Sequence, residues 1–266
     1  MKPISTGPDM CLPQRTTAIP EYLTDDLLLG GRVRLRQPAA GFRASIDAVL
    51  LAAAVPACDG DSVLDVGSGT GAAALCLATR VEGAQVTGIE ADRTLVRLAA
   101  DNAAATGVGP RVRFYLGDLA SPPIRFSPAS FDHVMANPPF APEGTGRTPL
   151  DPGRAQAMIE GKVRLAGWLY FCLKMVKSGG SLAVIQRADR LAEVLTGLSG
   201  HLGGLVVLPL WPREAKPAKR VIVAGRKGSA APLILWPGLV LHRPDGGYTR
   251  EAEAVMRGGA PLALWP

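Results

Sequence analysis

Four short apolar runs in the middle of this chain each end on a residue that could do chemistry. VLDVGSGTG (63–71) passes through Asp65 into a turn spaced by Gly67, Gly69 and Gly71, with Ser68 and Thr70 between them. QVTGIE ends on Glu90, VRFYLGD on Asp118, and FDHVMAN on Asn137, which Pro138, Pro139 and Phe140 follow. Glycines at that spacing admit positive φ and let a ligand come close to the backbone. The spacing is GxGxG with Ala72 next, not the GxGxxG of a dinucleotide site, whose pyrophosphate needs a helix N-terminus free of negative charge. Asp65 would repel a phosphate and attract an ammonium, so the pattern selects a cationic, phosphate-free ligand. Prolines cannot donate to a strand ladder, so Pro138 and Pro139 mark a place where a strand stops. Taken singly, each feature also describes a tight turn or a solvated strand end; their succession at strand tips is what calls for a site.

The elements that must position these residues alternate. SVLDVG (62–67), QVTGIE (85–90), VRFYLGD (112–118), FDHVMAN (131–137) and SLAVIQ (181–186) are predicted as buried strands. AAALCLAT, ADRTLVRLAADNAAATG and GRAQAMIEGKVRLAGWLYFCLKMV carry apolar residues at helical spacing, with Gly107 and the pair Gly179–Gly180 where helix ends belong. Such βαβ alternation predicts an α/β fold with a parallel sheet covered on both faces. GLVVLPLWP and RVIVAGRKG, joined by REAKPAK, are too close for a crossover helix and should form an antiparallel hairpin closing one edge of the sheet. Before them, residues 1–60 read as an N-terminal extension: an irregular start, a strand GGRVRLRQ and a helix SIDAVLLAAAV (45–55) packing on the core. Residues 61–228 form the core, and the proline- and glycine-rich 229–266 a C-terminal extension with no legible elements.

The 266 residues are 47% hydrophobic and 20% charged, which suits one globular domain with small extensions. MKPISTGPDM lacks the apolar core of a secretory signal, and no run approaches the roughly 18 residues that span a membrane. A cytoplasmic protein without membrane association is expected. Cys11, Cys58, Cys76 and Cys172 stand far apart without a CxxC pair, and His133, His201 and His242 are equally scattered. Neither set has ligand spacing, so no metal is expected. The formal charge of +6 favours a polyanionic partner such as nucleic acid, although an arginine-dominated, alanine-rich chain also follows from a GC-rich genome.

Residues 62–140 resemble the class I S-adenosylmethionine-dependent methyltransferases motif for motif. The resemblance implies a Rossmann-like fold, a seven-stranded, mostly parallel sheet with a C-terminal antiparallel hairpin strand, and S-adenosylmethionine as cofactor. It assigns Asp65, Gly67, Ser68, Gly69, Thr70 and Gly71 to the methionine end, and Glu90 with Ala91 to the ribose hydroxyls. Asp118 and the backbone of Leu119 fall to the adenine ring. The NPPF segment then lies at the tip of the fourth strand, facing the transferable methyl. It resembles the signature of N-methyltransferases acting on planar amines or amides: adenine-N6, cytosine-N4, guanine-N2 and protein glutamine. The side-chain oxygen of Asn137 and the carbonyl of Pro138 can accept from the two N–H bonds of such a nitrogen, freeing its lone pair. Pro138 and Pro139 hold those oxygens still, and Phe140 offers a ring for a flipped-out base. The following loop, APEGTGRTPLDPG, suits a flap over substrate.

The N-terminal segment resembles that of the bacterial tRNA(Val) adenine-N6 methyltransferases, carried here by Ser45, Asp47, Val49, Leu50 and Leu51. The likeness extends over about residues 25–250, including LHRPDGGYT, and implies a tRNA substrate. By the same analogy Gln37, Arg43 and Asp47 lie near the cofactor and acceptor pocket, with Arg43, Asp47 and Asn137 counted among the cofactor-binding residues. Arg32, Arg34 and Arg36 alternate with Val33 and Leu35, which puts three guanidiniums on one face of a strand. Arg213, Lys216, Lys219 and Arg220 gather at the hairpin turn. Both clusters could track an RNA backbone, or simply keep edge strands unpaired. A release-factor glutamine methyltransferase is the second reading, since that family shares the NPPY/F signature; it carries a helical domain before its glycine motif. A DNA methyltransferase would want a separate target-recognition domain, and a non-catalytic RNA-binding module would have no need of Asn137–Phe140. A methyltransferase acting on rRNA or on a small molecule is a further alternative, and sequence leaves the RNA species and the oligomeric state open.

Overall fold

The computed structural model describes residues 22–40, 43–120, 126–140 and 163–265. The chain first forms a two-stranded antiparallel hairpin, β1 (Leu23–Leu28) and β2 (Val33–Pro38), and then α1 (Ile46–Ala54). Ser45 caps α1, its hydroxyl accepting from the amide of Asp47 at 3.2 Å, and all but the first residue of this helix are buried. A helix apolar all round belongs inside a fold. β1 went unseen in the sequence because TDD interrupts its apolar residues.

The alternating region follows as β3 (Ser62–Val66), α2 (Ala72–Arg80), β4 (Gln85–Glu90), α3 (Arg93–Thr106), β5 (Val112–Leu116) and β6 (Phe131–Ala136), then α4 (Leu165–Met175), β7 (Val176–Arg187), α5 (Leu191–Leu198), β8 (Leu202–Trp211) and β9 (Arg220–Lys227). Two-residue strands β10 (Ile234–Leu235) and β11 (Leu239–Val240) and helix α6 (Arg250–Met256) complete it. The main sheet runs β10-β8-β9-β7-β6-β3-β4-β5, with β11 also on β8. β3 through β7 are parallel, β9 is antiparallel to both its neighbours, and β10 and β11 are parallel to β8. Seven strands were expected; among the described residues the two short tail strands raise the sheet to nine. The expected hairpin is present, with β9 inserted beside β7 and β8 outermost of the pair.

Alternate residues of each central strand enter opposite cores, as the pleat requires. In β7, Ala183 and Ile185 face the side filled by α1, α2 and the N-terminal hairpin, while Leu182 and Val184 face α4 and α5. Gly179 and Gly180, expected as a helix end, instead lie inside β7. The helix stops at Met175, and Gly179, at φ 79°, sits where the β6–β7 register shifts. Gly107 does cap α3, with φ 80°. The flap loop APEGTGRTPLDPG, Cys11 and the chain start fall outside the described residues. No described helix is long and apolar enough to cross a membrane.

The hairpin docks on α3 through two side chains one turn apart. Thr106 Oγ1 bonds both the N–H and the carbonyl of Arg34 at 3.2 Å. Asn102 Oδ1 accepts from the Arg36 amide at 2.8 Å, and its Nδ2 donates to the carbonyls of Arg36 (2.9 Å) and Thr70 (3.0 Å). Spaced i, i+4 on one helix face, they satisfy the β2 edge as a neighbouring strand would. LHRPDGGYT, which matched the family without a physical account, is a tight return. His242 and Tyr248 pair across it with rings 5.0 Å apart, and it delivers Thr249 as the N-cap of α6.

Candidate active site

The carboxyl ends of β3, β4, β5 and β6 share one edge, so the parallel register brings Asp65, Glu90, Asp118 and Asn137 to the same side of the sheet. Gly67, Gly69 and Gly71 all take positive φ, at 72°, 54° and 90°. Gly67 has a second reason to lack a side chain: a Cβ there would collide with the indole of Trp168 from α4. A cleft beside this loop is lined by Ala44, Ser45, Ala48, Asp65, Gly67, Ser68, Gly69, Thr70, Ala72, Ala73 and Asn137. No lysine or arginine is among them.

Asp65 is buried, and Oδ2 accepts from the Ala74 amide of α2 at 3.2 Å. Burial pushes its carboxyl up to about 7, with the Ala74 bond pulling the other way and the nearby Glu90 charge adding to the rise. Glu90 is raised as well, by burial, against amide hydrogen bonds that favour its ionised form. Oε2 accepts from Gly69 N and Oε1 from Asp92 N, both at 2.9 Å. The Ala91 amide also favours the ionised carboxylate, and three donors leave one of its four acceptor positions open. Ala91 follows on the exposed turn. Asp118 is exposed, Oδ1 closing a turn onto the Ala120 amide at 2.9 Å beside half-buried Leu119.

Two buried oxygens in this cleft have no hydrogen-bond partner: Ser68 Oγ and Asn137 Oδ1. Buried acceptors are normally paired, so an orphan at a cleft wall is a place for a ligand's donor. The carbonyls beyond Asn137 are held from behind. Gln186, buried at the end of β7, donates Nε2 to Pro139 O at 3.2 Å and Pro138 O at 3.5 Å, and Arg190 Nη1 reaches Pro139 O at 3.5 Å. Neither was singled out from sequence; the polar end of SLAVIQ was the available signal.

The other site residues from sequence divide. Asp47, on α1, is buried and paired with Arg220, and Arg220 lies over the Phe140 ring. Arg220 is thus drawn in beside the NPPF segment, while Arg213, Lys216 and Lys219 stay exposed on the β8–β9 turn. Arg43 and Gln37 both reach Asp26 Oδ2, at 2.6 and 2.8 Å, and Gln37 Oε1 accepts from Ala44 N; together they brace the cleft wall from outside. Arg32, Arg34 and Arg36 do share an exposed face. Arg32, however, is committed to the carbonyls of Leu29, Arg257 and Gly258, and Arg36 to Asp25.

A family model described as a methyltransferase domain matches residues 63–142. A tRNA1(Val) (adenine(37)-N6)-methyltransferase of Porphyromonas gingivalis is 31% identical, the match covering 85% of this chain and 91% of that one. The chain belongs to this class I methyltransferase family. The methyltransferase is also 32% identical to a release factor glutamine methyltransferase of Chlorobaculum tepidum, over 60% of this chain; the match spans only 56% of that relative. A crystal structure described as that of a predicted O-methyltransferase from Agrobacterium tumefaciens superposes with a TM-score of 0.68 at 25% identity, covering 81% of this chain and 98% of that one. S-adenosylmethionine is the methyl donor of the class. The cleft fits it: the Asp65 carboxylate and the unpartnered Ser68 and Asn137 oxygens, with no cationic side chain in the lining, suit a sulfonium and an ammonium.

Proposed function

We propose that this methyltransferase methylates N6 of adenine in a tRNA. The observation that carries the reading is the orphaned Asn137 oxygen, buried at the tip of β6 in the cleft and followed by a braced Pro-Pro-Phe. The donor, when bound, supplies an electrophilic methyl carbon. Asn137 Oδ1 accepts one N–H of the exocyclic amine and Pro138 O the other, which turns the nitrogen lone pair out of the ring. Gln186 keeps that carbonyl in place, and Phe140 stacks the base. Asp65 and the glycine loop hold the amino-acid end of the donor, Glu90 the ribose diol, and Asp118 and Leu119 the adenine.

RNA is favoured by the placement of charge. β9 is antiparallel to β7, pairing Arg220 with Arg187, so the turn before Arg220 projects from the same edge as Asn137. Arg213 and Lys216 rim a second hollow there together with Glu214, a net positive rim, with Trp211 in its wall. Cations beside a flat ring suit a single-stranded nucleic acid. The tRNA-modifying relative of Porphyromonas gingivalis matches over 85% of this chain, against 60% for the release-factor one.

Incubation with labelled donor and, separately, total tRNA, total rRNA and release factor, followed by nucleoside analysis, tests the assignment. Label in N6-methyladenosine from tRNA is expected; label in release factor alone would replace it with the glutamine reading. Reversing Lys216 and Lys219 to Glu should weaken tRNA binding and flatten its salt dependence by about one unit of slope per lost phosphate contact.

The Asp65 assignment carries a pH signature. Between about pH 4 and 7 the folded chain retains a proton that the unfolded chain has lost, so stability falls as pH rises through that window and levels off above it. A cationic donor end favours the ionised carboxyl and reverses this. Donor binding at pH 6 should release close to one proton, and affinity should drop by up to about tenfold per pH unit below about 7. Calorimetry at pH 6 in buffers of different ionisation enthalpy reads this directly; heats independent of buffer would detach Asp65 from the donor.

A further inference from the structure

The ring of Phe140 is already stacked. The Arg220 guanidinium carbon lies 4.2 Å from its centroid, so a planar cation covers one face of the ring. The Arg220 Nε donates to Asp47 Oδ2 at 3.1 Å and Nη1 to the Lys219 carbonyl at 3.2 Å. The Asp47 side chain is only 5% exposed, whereas that of Arg220 is 30% exposed. The anchor is fixed and the arginine reaches solvent. Phe140 itself is only 8% exposed, too little to offer a base an open face.

We infer that Arg220 is the gate of the acceptor pocket: its guanidinium fills the stacking position on Phe140, and an RNA strand draws it aside. The inference rests on the reading of Phe140 as the acceptor platform. Flatness lets a guanidinium stand in for a base, and positive charge gives it somewhere to go. Leaving Phe140 and Asp47 separates a cation from a ring and a carboxylate, which a free nucleoside cannot replace. A strand offers phosphates, and a guanidinium pairs with those bidentately. The gate thereby selects polymer over monomer, and Lys216 and Lys219, on the turn just before Arg220, lie where the strand's charge would arrive.

The test uses 2-aminopurine riboside, a fluorescent planar amine, titrated into protein saturated with S-adenosylhomocysteine so that the donor pocket is closed to it. Arg220→Ala should bind the probe about tenfold more tightly than the original chain, with S-adenosylhomocysteine affinity unchanged. Because Arg220→Ala strands a buried carboxylate, Asp47→Asn combined with Arg220→Ala is measured beside it and should show the same gain. Equal or weaker probe binding by these variants overturns the gate. Methylation of total tRNA by the same proteins separates the two levels of the argument. A probe gain with no tRNA methylation by the original chain keeps the gate and removes the tRNA reading. tRNA methylation without a probe gain does the reverse.

Discussion

Replacing Asn137 with Ala lowers the rate of methyl transfer by about 10²–10³, the scale seen when one positioned polar partner of a transition state is removed. The loss should fall on the chemical step. The Asn137 Oδ1 has no partner in the protein, so its deletion breaks no internal hydrogen bond, and half-buried Asn137 leaves little cavity behind. Asn137 also lines the donor cleft, so donor affinity is measured beside the rate and should fall by far less than the rate does. Asn137→Asp keeps an acceptor oxygen at the same reach and should recover part of the rate. Single-turnover transfer to tRNA at saturating donor separates these cases. Full activity in Asn137→Ala would mean the amine is oriented by something else.

The second large effect concerns the donor itself. Glu90→Ala should weaken S-adenosylhomocysteine binding by about 1–3 kcal/mol, the span of a charge-assisted hydrogen bond to a diol. Part of that loss comes through the loop, because Glu90 also accepts from Gly69 and Asp92 and its removal frees both amides. Glu90→Gln retains an acceptor for one of them and should lose less. Calorimetry gives the affinities, and the rate at saturating donor should change little. An unchanged affinity in Glu90→Ala would take the ribose away from β4.

Most of the frame was legible because parallel strands buried on both faces announce themselves as short apolar runs, and the glycine loop and NPPF mark where they end. The positions of Asp65, Glu90, Asp118 and Asn137 at the carboxyl edge of the sheet were legible for the same reason. Three things were not. Gln186 looked like the polar end of a strand, and only the β6–β7 pairing reveals that it points at the Pro138 and Pro139 carbonyls. Arg220 looked like one more cation of a basic turn, because sequence adjacency to Lys219 hides the change from turn to strand that swings it over Phe140. The tail carried little legible periodicity, since its strands are two residues long and its one helix, which buries Ala252, Val255 and Met256, is seven; side-chain and backbone anchors hold the rest. The Trp236 indole donates to Leu264 O, Trp265 to Gly204 O, and the Leu262 amide to Ala53 O. Isolated tryptophans beside prolines were the trace that the two indole anchors left in the sequence.

That tail does more than finish the chain. β8 is a ten-residue, largely buried apolar strand, and its outer rim is met by Ala231, β10, Trp236, β11 and Leu241 in turn. A version shortened after Lys227 would bare this row of amides and carbonyls to any other copy it encountered, an open invitation to intermolecular strand pairing and precipitation. The proline- and glycine-rich segment that reads as ornament thus serves as a seal that keeps the molecule from polymerising through its own sheet.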